Sequence, residues 1–450
     1  MDYSQIMLVF VVLAPGVVFG VLALLWLMGS VPTERVVSRI TGVTFSASIA
    51  ALAVMVWRLA ATGAPRVAVA FGNWFTVHDY HFPLVLMADG VSLPFLVMTV
   101  VLSGLIGQFS ATYLHRERGF LRFFLLLHLF AFGSLLAFAA GSFDLLVGGW
   151  ELVGITSVLL IAFFQQRAAP VDNALRVFAV YRACDIGLLV GVFAMHHWAG
   201  TASFQHGLPG LTGVERTIVC LLLLLAAAGK AAQVPFSGWL PRAMEGPTPS
   251  SAIFYGAISI HAGAYLLLRV QPMLAQSGLA SALVVAVGIA TAIHGTMAGR
   301  ASADAKTSLA YASLTQVGVV FAEIGIGWTT IALAHIMGHA TVRTLQFLRA
   351  PSMLHDYHKM QSAVGGELSP TGKHLEELFP ERVQLWLYRW SLDRGHLDTI
   401  LDGWVIHPLM RLSGLFARLD MMGLDGSRSQ REEAVLSVHG RGGSGWRTAR

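Results

Sequence analysis

Lys230 and Lys306 are the only lysines in the first 350 residues, where the other sixteen basic residues are arginines. Both interrupt or adjoin long apolar runs. A desolvated ammonium can give up its proton and a guanidinium in practice cannot, so lysine is the basic group to expect where a proton must come and go. A GC-rich coding sequence that writes arginine for lysine also accounts for the scarcity, though not for the two positions.

Other ionisable groups share that depth. Each costs about 2.5–3.5 kcal/mol inside a membrane span, which makes each one a functional-site hypothesis. Glu151 lies in Gly148-Gly149-Trp150-Glu151, and Asp185 follows Arg182 at i+3. Arg182 and Asp185 are equally readable as a buried pair that fixes helix register. Lys230 ends the stretch Val219 to Gly229 and is followed by Ala231-Ala232-Gln233-Val234-Pro235. A proline five residues after a buried lysine should break the helix and leave polar backbone at membrane depth, as in the discontinuous helices that line ion pathways.

Tyr255 and His261 stand six residues apart, on different helix faces, and His261 alone reads as well as a packing residue. His335, His339 and Arg343 recur every four residues and form one stripe. Two histidines so spaced could bind a metal, but with arginine next on the stripe a proton relay is the better reading. Lys306 sits with Asp304 at the entrance of its run, where a snorkelling interfacial lysine is the competing reading. Glu323 is about 25 Å farther along the same helix, so it is no direct partner of Lys306 and belongs near the outer interface.

The elements that must position these groups are membrane spans. The 450 residues are 55% hydrophobic and 12% charged, against roughly 25% charged in soluble domains. The first apolar run, Met7 to Met28, has no basic region before it and reads as a retained span. Ten more runs fall near 40–61, 91–111, 123–140, 145–164, 177–195, 218–234, 252–268, 279–297, 309–326 and 329–348. The expected fold is therefore all-α and polytopic, with about eleven spans. Ten Lys/Arg fall in the connections after the odd-numbered spans, so the positive-inside rule places the N-terminus outside and the C-terminal tail in the cytoplasm.

Residues 351–450 hold twelve basic and twelve acidic residues, so this part lives in water or at an interface. The expected organisation is residues 1–84 as two spans and an outer loop, 85–350 as the transmembrane core with its break at 230–235, 351–423 as amphipathic helices and 424–450 as a disordered tail. Leu387, Trp390, Leu397, Leu401 and Trp404 alternate there with Arg389, Asp393, Asp398 and Asp402, the pattern of helices lying on a membrane or a partner.

The net charge of +5 comes wholly from the membrane part, where arginines facing anionic lipid explain it without nucleic acid. Cys184 and Cys220 lie in apolar segments without CxxC spacing and read as core residues. No P-loop, HExxH or GxSxG is present, which gives nucleotide hydrolysis and common hydrolase chemistry no foothold.

Gly149-Trp150-Glu151-Leu152-Val153-Gly154, Tyr181-Arg182-Ala183-Cys184-Asp185, and Gly229-Lys230-Ala231-Ala232-Gln233-Val234-Pro235-Phe236 running on to Glu245-Gly246-Pro247-Thr248-Pro249 resemble the antiporter-like, proton-pumping subunit 5 of respiratory complex I and its Mrp relatives. The likeness covers roughly 85–350. It implies inverted five-helix repeats, each with a broken helix and a lysine. On that pattern Glu151 would pair with Lys230, Asp185 would be a second acid, Lys306 a further lysine, and His335 and His339 relay histidines.

Three departures stand out. Arg343 replaces a lysine and can only stabilise charge. Tyr255 takes the place of a histidine that His261 could supply. The chain also leaves the membrane after the eleventh run, without the second broken helix. In length, tail and arginine-rich connections it resembles the DabB-type subunits of inorganic-carbon pumps. That resemblance implies cation conduction coupled to CO2 hydration by a large cytoplasmic, zinc-bearing DabA-type partner similar to β-carbonic anhydrases, in the bacterial inner membrane. No cofactor is expected in this chain itself. The rival readings are a respiratory or Mrp-type proton-pumping subunit and a non-transporting anchor for a cytoplasmic enzyme.

Overall fold

The computed structural model describes residues 1–78, 80–204, 210–302, 304–364, 379–416 and 418–419. Nine helices among them are long and apolar enough to cross a membrane. Six come first: α1 (Tyr3–Leu27), α2 (Glu34–Thr62), α3 (Ser92–Tyr113), α4 (Phe120–Phe138), α5 (Phe143–Ile161) and α6 (Ala168–Ala199). The others are the interrupted helix Thr248–Arg269, whose last, regular stretch is α8 (Ala262–Arg269), and α9 (Gly278–Arg300) and α10 (Ala305–Ile326). The remaining two expected runs fall in α7 (Gly213–Lys230), which carries Glu215, Arg216 and Lys230, and in the first part of α11 (Thr329–Val364).

One element departs from the all-α expectation. An antiparallel hairpin of β1 (Arg66–Val77) and β2 (Tyr80–Asp89) joins α2 to α3. Val67, Ala68, Val69 and Ala70 pair with Ala88, Met87, Leu86 and Val85, with β-branched Val67, Val69 and Val85 suited to a pleated ribbon. Several ends of the helical body meet this hairpin and define one membrane face. Gln5 at the start of α1 donates to Ala68 O at 2.9 Å, and Leu86 bridges Ala140 between α4 and α5. Arg269, ending α8, pairs with Asp89 at 2.6 Å and donates to the Tyr265 hydroxyl at 2.9 Å.

On the opposite face Glu34 bonds His115 at 2.6 Å. There too Arg242 meets Asp398 at 2.7 Å, and Asp398 also binds Arg394 at 3.2 Å. These contacts anchor the short amphipathic helix α12 (Glu381–Leu392), whose Trp390 ring stands edge-on to His294. The chain forms two compact units that part after Asp398. The second begins at Thr399 and is helical to residue 416, and the expected tail 424–450 lies outside the described residues.

Lipid tails are as apolar as leucine, so spans associate through close packing over small residues rather than by hiding apolar area from water. Gly288 on α9 and Gly318 on α10 show this. A Cβ on Gly318 would sit 2.6 Å from Gly288 O and 2.7 Å from Ala292 N, both rigid backbone atoms. Gly318→Val is therefore expected to force the helices apart and cost about 1–3 kcal/mol, read as a lower thermal unfolding midpoint in detergent. An unchanged midpoint would contradict this close approach.

Candidate functional site

Lys230 is fully buried at the C-terminal end of α7. The helix stops there as the sequence predicts. Ala231 caps it, Ala232 turns left-handed with φ 53°, and Pro235 bars its resumption. The freed backbone groups are met internally, as hydrocarbon requires. Val234 N donates to Thr291 Oγ1 at 2.9 Å, and Trp239 Nε1 donates to Gly229 O at 3.0 Å.

The Lys230 ammonium donates to Trp150 O at 3.0 Å and lies over the rings of Trp150 and Tyr181, 4.8 and 4.6 Å from their centroids. A carbonyl and two ring faces thus surround Nζ, and the rings can receive a cation when the group is protonated. Gly154 makes the room, because a Cβ there would lie 2.9 Å from Lys230 Nζ. The pairing of Glu151 with Lys230 that the resemblance implied is not the arrangement seen. Arg182 takes both acids, with Nη2 2.5 Å from Glu151 Oε2 and 2.6 Å from Asp185 Oδ2. The Asp185 carboxylate also accepts Trp150 Nε1 at 2.5 Å. Both acids meet the same nitrogen, Arg182 Nη2, whose two N–H groups can serve one carboxylate each, whereas Lys230 Nζ ends inside an aromatic box.

Aromatic rings lead from this group toward the interrupted helix. Tyr181 stands edge-on to Trp239 at 5.1 Å, and Trp239 to Tyr255 at 5.7 Å. Tyr255 lies in the wide turn Ala252–Ala257, where the backbone departs from α-helical spacing, a feature frequent at functional sites. The Tyr255 hydroxyl and the side-chain amide oxygen of Gln233 are buried without a protein partner among the described residues. Such groups suit a line of bound water.

His261, the next titratable group on that helix, bonds Ala257 O through Nδ1 and His339 Nδ1 through Nε2, the latter at 3.0 Å. His335 follows, its ring centroid 6.5 Å from that of His339, with Nδ1 3.0 Å from Glu323 Oε1 and Nε2 2.9 Å from Gln316 Oε1. Arg343 donates to Gln346 on its own helix at 2.7 Å. Lys306 stands in the first turn of α10, half-buried beside the Asp304 N-cap and apart from the other lysine.

Two clusters emerge: Glu151, Arg182, Asp185 and Lys230 in one, and His261, His339, His335 and Glu323 in the other, with Tyr255 between them. Glu323 and Gln316 were not marked by spacing. Their signal is the tight turn at Gly327, which folds α11 back along α10 and brings Glu323, four residues before it, against His335, eight after it. Among the described residues, no three His, Cys, Asp or Glu side chains converge as a metal site.

Residues 140–368 match the family described as "NADH:quinone oxidoreductase/Mrp antiporter, TM". The chain belongs to this family. Residues 74–124 match a second description, "NADH-Ubiquinone oxidoreductase (complex I), chain 5 N-terminus". Both clusters fall within the first match. NADH-quinone oxidoreductase subunit L of Neisseria meningitidis is 31% identical over 305 residues, 64% of this chain and 45% of that protein. NADH-ubiquinone oxidoreductase chain 5 of Schizophyllum commune is 34% identical over 296 residues, 65% of this chain and 43% of that protein. The chain thus spans under half the length of these relatives. A chain of the Mrp complex from Dietzia sp. DQ12-45-1b superposes with TM-score 0.64 at 25% identity, covering 75% of this chain and 37% of its own length. One from the archaeal membrane-bound sulfane sulfur reductase gives 0.66 at 19%, covering 76% and 70%, and shows the shared fold.

Proposed function

We propose that this multi-pass membrane protein is a proton-translocating, antiporter-like subunit of a larger membrane complex of the complex I or Mrp kind. The single observation that carries the reading is Lys230: a fully buried lysine at a helix break, boxed by Trp150 and Tyr181, with Glu151 and Asp185 close by but held by Arg182. Such a lysine changes its protonation when the neighbouring carboxylates change partner. While Arg182 holds them, Lys230 has only a carbonyl and ring faces. If Arg182 swings away, the acids face Lys230 and favour its ammonium form. The reciprocal move sends a proton onward past Tyr255 toward His261, His339 and His335.

The arginine-rich connections would face the cytoplasm, and the hairpin the outside of a bacterial inner membrane. The relatives that match are subunits of respiratory and antiporter complexes, which supports this reading over the narrower carbon-pump one. Coupling to CO2 hydration by a DabA-type zinc protein rests on the resemblance alone.

Purification from native membranes tests the proposal. The chain should emerge with other membrane subunits, and the complex in vesicles should pass protons under an imposed potential. A large zinc protein in their place would instead favour the carbon-pump reading. In the same vesicles His339→Gln is expected to cut flux by about tenfold or more, because glutamine keeps a hydrogen bond to His261 but cannot carry a proton. Undiminished flux would remove the histidines from the path.

A further inference from the structure

A second group of titratable side chains sits at the hairpin face, away from both clusters. Asp144 in the first turn of α5 accepts the Tyr80 hydroxyl at 2.9 Å and His196 Nε2 at 2.8 Å, both on Oδ1. Its side chain is only 2% exposed, yet Oδ2 has no protein partner. Helix capping does not explain this, because Ser142 already serves the α5 N-terminus by accepting Leu145 N.

Asp144 lines a cleft of about 540 Å³ with Tyr80, Val147, Leu189, Val192 and His196. Along α6 the lining descends from Gly200 past His196 to Leu189, one helical turn above Asp185. Along α5, Asp144, Gly148 and Glu151 follow the i, i+4, i+7 rule and share one side. The cleft lies at the hairpin end of the α5/α6 seam, and Glu151, Arg182 and Asp185 lie deeper along the same two helices, with about 10 Å of helix between the Asp144 and Glu151 carboxylates.

The geometry points to Tyr80, Asp144 and His196 as the port through which the Glu151–Arg182–Asp185 cluster exchanges protons with the solution on the hairpin face, Asp144 Oδ2 being the group that takes up and releases the proton. The inference rests on the proton-translocating reading. The groups facing Asp144 are Tyr80 from β2 and His196 from α6; His197 lines the same cleft, and Arg269 of α8 is engaged by Asp89. Burial, then the Asp144 carboxylate, pushes the Tyr80 phenol up to about 12, so it remains a donor at neutral pH. His196 holds the other Asp144 contact through Nε2.

The test uses the native complex, purified with its partner subunits and placed in vesicles. Asp144→Asn keeps both hydrogen bonds but cannot bind a proton. It should lower flux by about tenfold or more and remove one protonated-carboxyl band from the infrared difference spectrum of a pH step. Tyr80→Phe should shift that band, and it serves if the asparagine variant fails to assemble. Lys230→Ala should lose flux and keep the band. Wild-type flux and an unchanged spectrum in Asp144→Asn, or an unshifted band in Tyr80→Phe, would overturn the port. Flux surviving in Lys230→Ala would instead overturn the translocation reading, and the Asp144 band would then decide the port alone.

Discussion

Replacing Arg182 with leucine is expected to destabilise the protein by about 3 kcal/mol, the lower end of the cost of stripping the partner from a buried ion pair. The low end applies because Arg182 and Glu151 are 30% and 27% exposed and partly screened. One guanidinium bonds two acids here, so its loss strands both Glu151 and Asp185 at membrane depth. Trp150 Nε1 still serves Asp185, but Glu151 keeps no such donor.

A lower unfolding midpoint and a poorer yield of assembled complex are the expected readings. Arg182→Lys should recover part of the loss, because it restores the charge on a side chain one atom shorter than the one that reaches both carboxylates through Nη2. In the leucine variant that does assemble, Lys230 is the remaining cation for both acids. It should stay an ammonium ion, and flux should fall with it. A leucine variant as stable as the parent would show that the Arg182 bridge contributes nothing to the fold.

The membrane class, most of the spans and the break after Lys230 were legible in the sequence because each follows from one dimension of chain. Apolar length sets a span, and proline five residues past a lysine ends a helix. The hairpin was not, since its strands read as an outer loop beside so many longer apolar runs, and only pairing across the turn fixes it. The site shows the same division. Glu151, Arg182, Asp185 and Lys230 were marked individually by charge at membrane depth. Their pairing depends on side-chain reach across α5, α6 and α7, so the lysine found rings and a carbonyl where a carboxylate was expected. Glu323 was placed near the outer interface, and in the last turn of α10 it meets His335, a partner that the turn at Gly327 supplies. Asp144 and His196 lie fifty-two positions apart and meet only because α5 starts and α6 ends at the hairpin face.

Lys230→Ala carries the largest functional expectation. Alanine removes the one buried amine at the helix break while leaving Arg182 on its two acids, so the ion pairs that hold α5 to α6 persist. The stability loss is confined to the contacts with Trp150 and Tyr181 and the space left between them, and the complex should still assemble. Lys230→Arg separates charge from exchange: arginine stays protonated, so it should fail like alanine if proton turnover at this position is what counts. The deciding measurement is proton flux into vesicles bearing equal amounts of assembled wild-type and Lys230→Ala complex, driven by the same imposed potential. The account predicts flux in the wild type and leak-level flux in the variant at equal subunit content; equal flux in both would contradict it.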